Sequence, residues 1–463
     1  MADKQVLVHL CYIFLFVIFW SSNYIYKESM YDYSIELIIE IAKTRDDFQT
    51  WFFTILANLG SGQLYQWIML LVVSWYGPVY GLYINMFFTI CNYMLTITKL
   101  MIHDPRPYMT DERIDVVSCS HEYGSPSGHA VLAATYSTFL FLMYNHSQKQ
   151  THLTMSQRLR DWKYILGVIC IVSYPLIMAY DRLFMGVHTI DQIIFGLQLG
   201  YWLAFYFHFC YKKAIQVHVH RLLASDPWLS NRFMIGKYAL NVTVFFFVFA
   251  MGSQILAFSY TYYTFKTPQE WIDRLASKCS SPSLFNTFEY MSLYYTGGTA
   301  AGYGAYMGLL LRVKLFPGNL VRNRTLKNFT LRMIFIYILT WPFLWLDSQI
   351  PWDVSALWII VVFKALIPGF FQGVMMFAFP DQIIHSLDKL FGWDKKSSEF
   401  NSEQFETEGG SSSPNNYNIQ NHSFSYDLSI QHNQKKKEHA YEYTAHTQEQ
   451  EEKLKPLLKE SQL

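Results

Sequence analysis

The sequence predicts an all-α fold, a polytopic bundle of about ten transmembrane helices, and three observations carry that expectation. Hydrophobic residues make up 52% of the chain and aromatic residues 18%, against only 15% charged, far from the balance of a water-soluble protein of 463 residues. Mostly apolar runs of about 20 residues, the length needed to cross a bilayer, recur as far as Pro380. Lysine and arginine gather in alternate connections between those runs, the pattern expected when basic loops stay in the cytoplasm. A net charge of +1 gives no sign of a nucleic-acid partner, so charge informs only through its placement.

In chain order the runs are 6–26, 50–75, 79–99, 129–145, 164–180, 189–210, 238–263, 288–311, 331–347 and 354–379. The first is expected to persist as a span. Its leading residues, Met1-Ala2-Asp3-Lys4, are barely basic, and Trp20-Ser21-Ser22-Asn23 offers no clear signal-peptide cleavage site. The connections 146–163, 211–237 and 312–332 hold most of the loop lysines and arginines and fall on one side with both termini, the expected cytoplasmic side. The opposite side receives 27–49, 100–128, 181–188, 264–287 and 348–353. Beyond Pro380 the composition turns to Asn, Gln, Ser, Glu, Lys and His, as in a disordered tail. The expected organisation is therefore an extra span and non-cytoplasmic loop over 1–49, a core over 50–237, four further spans over 238–380 and a cytoplasmic tail over 381–463. The glycine-rich stretch 297–304 lies inside a span and reads as close helix packing. Lys364, inside the last span, reads as a pocket residue or as a charge that snorkels or meets a carboxylate such as Asp347.

Three segments on the non-cytoplasmic face carry chemistry. "KLMIHDPRPY" places Lys99 at a helix end and Arg106 seven residues later, between Pro105 and Pro107, which hold its backbone extended. "CSHEYGSPSGHA" contains Ser127, Gly128 and His129 at the start of a span. "YDRLFMGVHTIDQ" places Arg182 six residues before His188. Two arginines, a lysine and two histidines converge on one face. Arginine forks and a lysine point charge suit a phosphate that gains charge as it transfers. The N–H groups of Ser127, Gly128 and His129, with the positive end of their helix, are expected to face the same anion. One histidine can attack phosphorus while another protonates the leaving oxygen. This set needs no metal and no cofactor, and no carboxylate pair or Cys/His spacing suggests one.

Lys99-x6-Arg106-Pro107, Pro126-Ser127-Gly128-His129 and Arg182-x5-His188 resemble the three-part signature of the type 2 phosphatidate phosphatase and vanadium haloperoxidase superfamily, in the same order and at fitting distances. The resemblance covers about 99–196. It implies a core six-helix phosphatase bundle, with His188 as nucleophile forming a phosphohistidine. It implies His129 as general acid, and Lys99, Arg106 and Arg182 holding phosphate with Ser127 and Gly128. Two positions depart from the pattern. Asp181 stands where the family has Ser, and Gln192 stands where it has the Asp that orients the nucleophile. Asp191, three residues after His188 on a helix, is the expected orienter, with Gln192 the second choice.

A narrower likeness, over about 50–380, is to glucose-6-phosphatases. It rests on Arg106-Pro107-Tyr108, on Cys119 ten residues before His129, and on Gln192. Sphingoid-base phosphate phosphatases share the endoplasmic reticulum setting and a Glu-Tyr-Gly-x-Pro-Ser type of second segment. The resemblance thus implies a membrane phosphomonoesterase, foremost one like glucose-6-phosphatase with a phosphorylated sugar as substrate, and in the alternative one acting on a phosphorylated lipid; an inactive relative acting as transporter or scaffold is the third class, and a transporter partner is a further expectation. Membrane lipid is the expected surrounding, with the active site lumenal and both termini cytoplasmic. Of six cysteines only Cys119 and Cys279 fall in non-cytoplasmic loops, where they could bridge or remain as two thiols.

Overall fold

A chain that crosses a bilayer must satisfy its backbone polar groups internally, and helices do so within a single segment. Every regular element among the described residues is accordingly helical. The computed structural model describes residues 2–146, 153–223, 233–279, 288, 292–293, 295–316, 325–350 and 357–391. The chain divides into residues 1–387 and 388–463, and the site lies in the first unit.

The elements in order begin with α1 (Ala2–Lys43), α2 (Asp47–Leu59), α3 (Gly62–Tyr76), α4 (Pro78–Ile102), the single turn α5 (Pro107–Thr110) and α6 (Gly128–Asn145). There follow the turn α7 (Met155–Arg158), α8 (Trp162–Phe184), α9 (Ile190–Leu223), α10 (Phe233–Thr264), α11 (Gln269–Lys278), α12 (Thr296–Leu315) and α13 (Leu326–Gln349). A short α14 (Leu357–Ile359) leads through a π-helical stretch, Ile360–Leu366, into α15 (Ile367–Ala378), and α16 (Pro380–Leu390) follows.

Among the described residues six helical segments are long and apolar enough to cross a membrane: Gln5–Lys43, Trp162–Phe184, Ile190–Val219, Val244–Thr264, Leu326–Leu346 and Val361–Leu390. The protein is therefore a multi-pass membrane protein with an all-α fold. The sequence predicts about ten spans. The difference lies in α4, α6 and α12, whose apolarity is diluted by internal polar or glycine residues, and in the run 50–75. That run breaks at Gly60-Ser61 into α2 and α3. A Cβ at Gly60 would press on Met178 and on the ring of His129, so the chain turns where a larger residue would collide with α8 and the site.

Helix α4 is the central post. Pro78 occupies its first position, where a missing N–H costs nothing. It ends at His103, whose left-handed φ of 40° and N–H bond to the Lys99 carbonyl (2.9 Å) turn the chain into the first motif. Its aromatic face meets α6 and α9: Phe87 stacks on Phe139 at 4.0 Å and Tyr83 on Phe207 at 5.4 Å, pairs worth about 0.5–1.5 kcal/mol each beyond area burial. Behind it, α12 and α15 approach until backbones touch. A Cβ at Gly304 would land on the Phe370 carbonyl oxygen, and one at Gly373 on that of Ala301. The glycine-rich stretch is thus a packing surface. Lys364 donates to the Ile350 carbonyl at 3.0 Å; the side chain of Asp347 lies outside the described residues.

The segment 27–49 is not the expected loop. Helix α1 runs unbroken to Lys43, because Ile35, Ile38 and Ile41 form a buried stripe while charged residues occupy other positions. At 1.5 Å per residue its 42 residues span about 63 Å, twice a hydrocarbon core of about 30 Å. The surplus lies along the motif loops. Lys27 pairs with Asp104 at 2.5 Å, Tyr31 bonds Thr110, Glu36 pairs with Arg113 at 2.8 Å, and the Ser34 hydroxyl accepts the Ile190 N–H at 2.9 Å. Two other boundaries move. Helix α9 continues to Leu223, into the expected connection 211–237, and α16 is helical within the expected tail, of which 392–463 lie outside the described residues.

The loop 109–119 is held by α11. Lys278 donates to the carbonyls of Asp111, Glu112 and Ile114 at 3.1, 2.8 and 2.7 Å. Cys119 and Cys279 are joined in a disulfide, their Cα atoms 6.0 Å apart and 160 residues apart in sequence. Closing so long a loop restricts the unfolded chain, an effect of about 2–5 kcal/mol. Cys119→Ser is expected to lower the thermal midpoint of the purified protein correspondingly. Non-reducing peptide mapping of the wild type should recover the two cysteines as one linked pair; free thiols at both would contradict the bridge.

Candidate active site

The three motif segments meet where α4 ends, α6 begins and the turn from α8 to α9 passes between them. Extended backbone at Arg106 (φ −85°, ψ 154°), imposed by the following Pro107, carries its side chain inward. Lys99 is 0% and Arg106 2% exposed. Buried charges at this depth must be bonded, and they are bonded to the second motif. Arg106 Nε donates to the Glu122 carbonyl at 2.9 Å, Arg106 Nη2 to Glu122 Oε1 at 3.0 Å, and Lys99 Nζ to the Tyr123 carbonyl at 2.8 Å.

The tautomer of His188 follows from its neighbours. Gln192 Nε2 donates to the Pro105 carbonyl at 2.8 Å, which can only accept. The other end of the amide, Oε1, therefore faces His188 Nδ1 at 3.1 Å, and Nδ1 must carry the hydrogen. On the opposite edge, Arg106 Nη1 lies 3.2 Å from His188 Nε2. Arginine only donates, so Nε2 presents its lone pair. His188 thus holds a nucleophilic nitrogen aimed at the cationic pocket. Burial and the charges of Arg106, Lys99 and Arg182 push its pKa well below the ordinary 6.5, with the Gln192 contact opposing them. The imidazole is neutral at neutral pH.

His129 stands at the first turn of α6, beside the α2 terminus, where the Ala57 carbonyl is its hydrogen-bond partner. The positive charges of Arg182, Arg106 and Lys99 act on both imidazoles. Arg182 lies in the last turn of α8, where its Nε donates to Asp181 Oδ2 at 2.7 Å. Asp181, at the position where the resembled family has Ser, is thereby a fixed counter-ion. The turn that follows uses Gly186 at φ 71°, a left-handed conformation suited to glycine.

Two expectations are corrected. The Asp191 carboxylate makes no hydrogen bond to His188; it is buried on the side of Asp104 and α1, and Gln192, one residue on, faces the ring. On α9 the fourth residue onward, and not the third, returns beneath His188. The Ser127 N–H is also engaged, donating to the Gln192 carbonyl at 3.0 Å, so it does not face an anion. The Ser127 hydroxyl is buried without a hydrogen-bond partner among the described residues, and Gly128 opens α6 beside it.

Sequence reasoning missed three participants. Glu122 lies inside the second motif but gave no signal of contacting both Lys99 and Arg106, at 3.6 and 3.0 Å. Ser34 and Ala57 come from helices outside the motifs, and no spacing rule connects them to it. Among the described residues no group of three or more His, Cys, Asp or Glu side chains is arranged to hold a metal ion.

Part of the chain is similar to known proteins. Residues 80–216, which run from α4 into α9 and contain every motif residue, match the family model described as the PAP2 superfamily. No curated protein matches the chain. Among solved structures, the chain is similar to the crystal structure of the first transmembrane PAP2 type phosphatidylglycerolphosphate phosphatase from Bacillus subtilis. The identity is 19%, over 44% of this chain and 96% of that one, with a TM-score of 0.35. The likeness of this membrane protein to the PAP2 superfamily thus lies in residues 80–216.

Proposed function

We propose that the protein is a membrane phosphomonoesterase that works through a phosphohistidine on His188. The observation that carries the reading is the neutral, oriented imidazole: Nδ1–H held by Gln192, the Nε2 lone pair turned to Arg106, in a pocket with Lys99 and Arg182. In the first step the Nε2 lone pair attacks phosphorus and a P–N bond forms. The ester P–O bond breaks, and the leaving oxygen takes a proton from His129, which acts as imidazolium once the phosphate dianion is bound beside it and is left neutral. In the second step His129 removes a proton from water, whose oxygen attacks phosphorus; the P–N bond breaks and inorganic phosphate leaves. Lys99, Arg106 and Arg182 neutralise the equatorial oxygens in both steps, with the Ser127 hydroxyl and Gly128 beside them. Gln192 accepts more strongly from Nδ1–H when Nε2 carries phosphorus and the ring is cationic.

The substrate in this reading is a small sugar phosphate, as in glucose-6-phosphatases, supported by Arg106-Pro107-Tyr108, Cys119 and Gln192. The site opens to the endoplasmic reticulum lumen and both termini are cytoplasmic, supported by the basic loops on the opposite side. A lipid phosphate is the second reading. It is favoured by α2, which ends against His129 while exposing Phe48, Trp51, Phe52, Ile55 and Leu59, so the bilayer comes close to the leaving-group side. Assaying purified protein side by side with glucose 6-phosphate, sphingosine 1-phosphate and phosphatidate separates the two. Every motif residue the chemistry needs is present, which speaks against an inactive scaffold.

His188→Ala is expected to abolish turnover and trapping of phosphorylated protein in acid-quench experiments. His129→Ala should retain trapping while turnover falls about 10²–10⁴-fold. Wild-type turnover by the His188 variant would overturn the proposal. Gln192→Leu frees the ring and should lower kcat about 100-fold with little change in KM, the penalty of a misplaced reacting group; an unchanged kcat would deny Gln192 its orienting role.

The pH dependence has a definite sign. Because the folded pKa of His188 is depressed, the unfolded chain binds the proton first, and stability falls as pH drops below about 6.5 toward the folded value. The same depression keeps the nucleophile free at neutral pH. Lys99→Met removes one of the charges responsible, so the acid limb of kcat/KM should move to higher pH than in wild type with the same substrate. A limb that stayed in place would remove Lys99 as a determinant of His188 ionisation.

A further inference from the structure

Glu122 is seated where a substrate phosphate would have to bind. Its Oε1 lies 3.0 Å from Arg106 Nη2 and 3.6 Å from Lys99 Nζ. Its side chain is 13% exposed, in front of an arginine at 2% and a lysine at 0%, so an anion arriving from solvent meets the carboxylate before it meets either cation. The backbone is anchored independently of the carboxylate. The Glu122 carbonyl is held by Arg106 Nε and the Tyr123 carbonyl by Lys99 Nζ. The carboxylate can therefore swing away by side-chain rotation alone, leaving both cations in place with a free N–H each.

The charges in the pocket give this arrangement a consequence. Lys99, Arg106 and Arg182 are opposed by Glu122 and by Asp181, which is bonded to Arg182. In the apo protein, with His188 neutral and His129 yet to gain the proton it later donates, one positive charge remains. A monoanion that displaces Glu122 exchanges one negative charge for another and gains little. A dianion brings one charge more than it removes, and it bridges Arg106 and Lys99 as Glu122 does.

We propose that Glu122 is a resident anion whose displacement makes the pocket selective for dianionic phosphate over monoanionic phosphodiesters. This rests on the reading of the pocket as a phosphate site. In the apo protein Glu122 also keeps two buried cations paired, which avoids the cost of leaving them bare. Substrate binding is then an exchange of anions, and each affinity carries the cost of releasing Glu122.

The test uses the full-length protein in detergent or nanodiscs at pH 8, with inorganic phosphate as the dianion and dimethyl phosphate as the monoanion, read by calorimetric titration. Wild type should bind phosphate and ignore dimethyl phosphate. Glu122→Gln should bind phosphate about tenfold more tightly or better, the scale of losing one charge-assisted hydrogen bond, and should now bind dimethyl phosphate. Glu122→Asp, whose shorter side chain withdraws the carboxylate from the cations while keeping its charge, should shift phosphate affinity in the same direction. Equal or weaker phosphate binding by Glu122→Gln, with wild type binding and hydrolysing a monoester, would sink the inference alone, leaving Glu122 as an organiser of the cations. If wild type neither binds phosphate nor hydrolyses any monoester, the phosphatase reading fails and the inference with it. If both variants fail to elute as folded protein, the carboxylate is structural and the proposal is overturned.

Discussion

The site depends on the two-ended polarity of one amide. Gln192 donates to the Pro105 carbonyl, accepts from His188, and through its own carbonyl receives the Ser127 N–H. One residue of α9 thus ties together the loop after α4, the start of α6 and the turn after α8. The Pro105 carbonyl cannot donate, so the amide has one orientation, and the imidazole tautomer follows from it. The knot also explains a glycine: a Cβ at Gly124 would strike both the Gln192 amide and the Pro105 carbonyl. A carboxylate in this place could accept from His188 but could not donate to Pro105 while ionised.

Around the knot the governing problem is electrostatic. Three cations are buried at the end of a helical bundle, where an unpaired charge is costly. The fold supplies counter-charges and carbonyls from the same segments that bring the cations together, so the pocket is assembled before any substrate arrives. A neutral histidine is the remaining consequence of that positive surrounding. The field that makes His188 hard to protonate is the field that would stabilise a transferring phosphate, and one arrangement serves both.

The elements outside residues 80–216 act on the site by packing and bonding. The C-terminal half of α1 brings Lys27 to Asp104 and a hydroxyl to the first N–H of α9, which supports the helix carrying Gln192. Helix α11 grips the loop that leads into the second motif and is joined to it covalently. On the far side, the glycine contacts of α12 and α15 allow dense packing in a setting where helices gain little from hydrophobic association.

Much of this was legible in the linear sequence, because it rests on local patterns. Apolar runs specify membrane helices, and Lys99, Arg106, His129, Arg182 and His188 lie at or beside helix ends. Those properties depend on composition and on spacing along a single segment. What only the tertiary structure decided concerns groups that meet across segments. The sequence alone favours Asp191 over Gln192 as the residue beneath His188, and the structure gives the place to Gln192, whose amide hydrogen is accepted by a carbonyl 87 residues away in the chain. The helical course of 27–43, the break at Gly60, the disulfide partner of Cys119 and the seating of Glu122 on two cations have the same origin. Each is decided by a contact whose partners are remote in sequence, and no periodicity along the chain encodes such a contact.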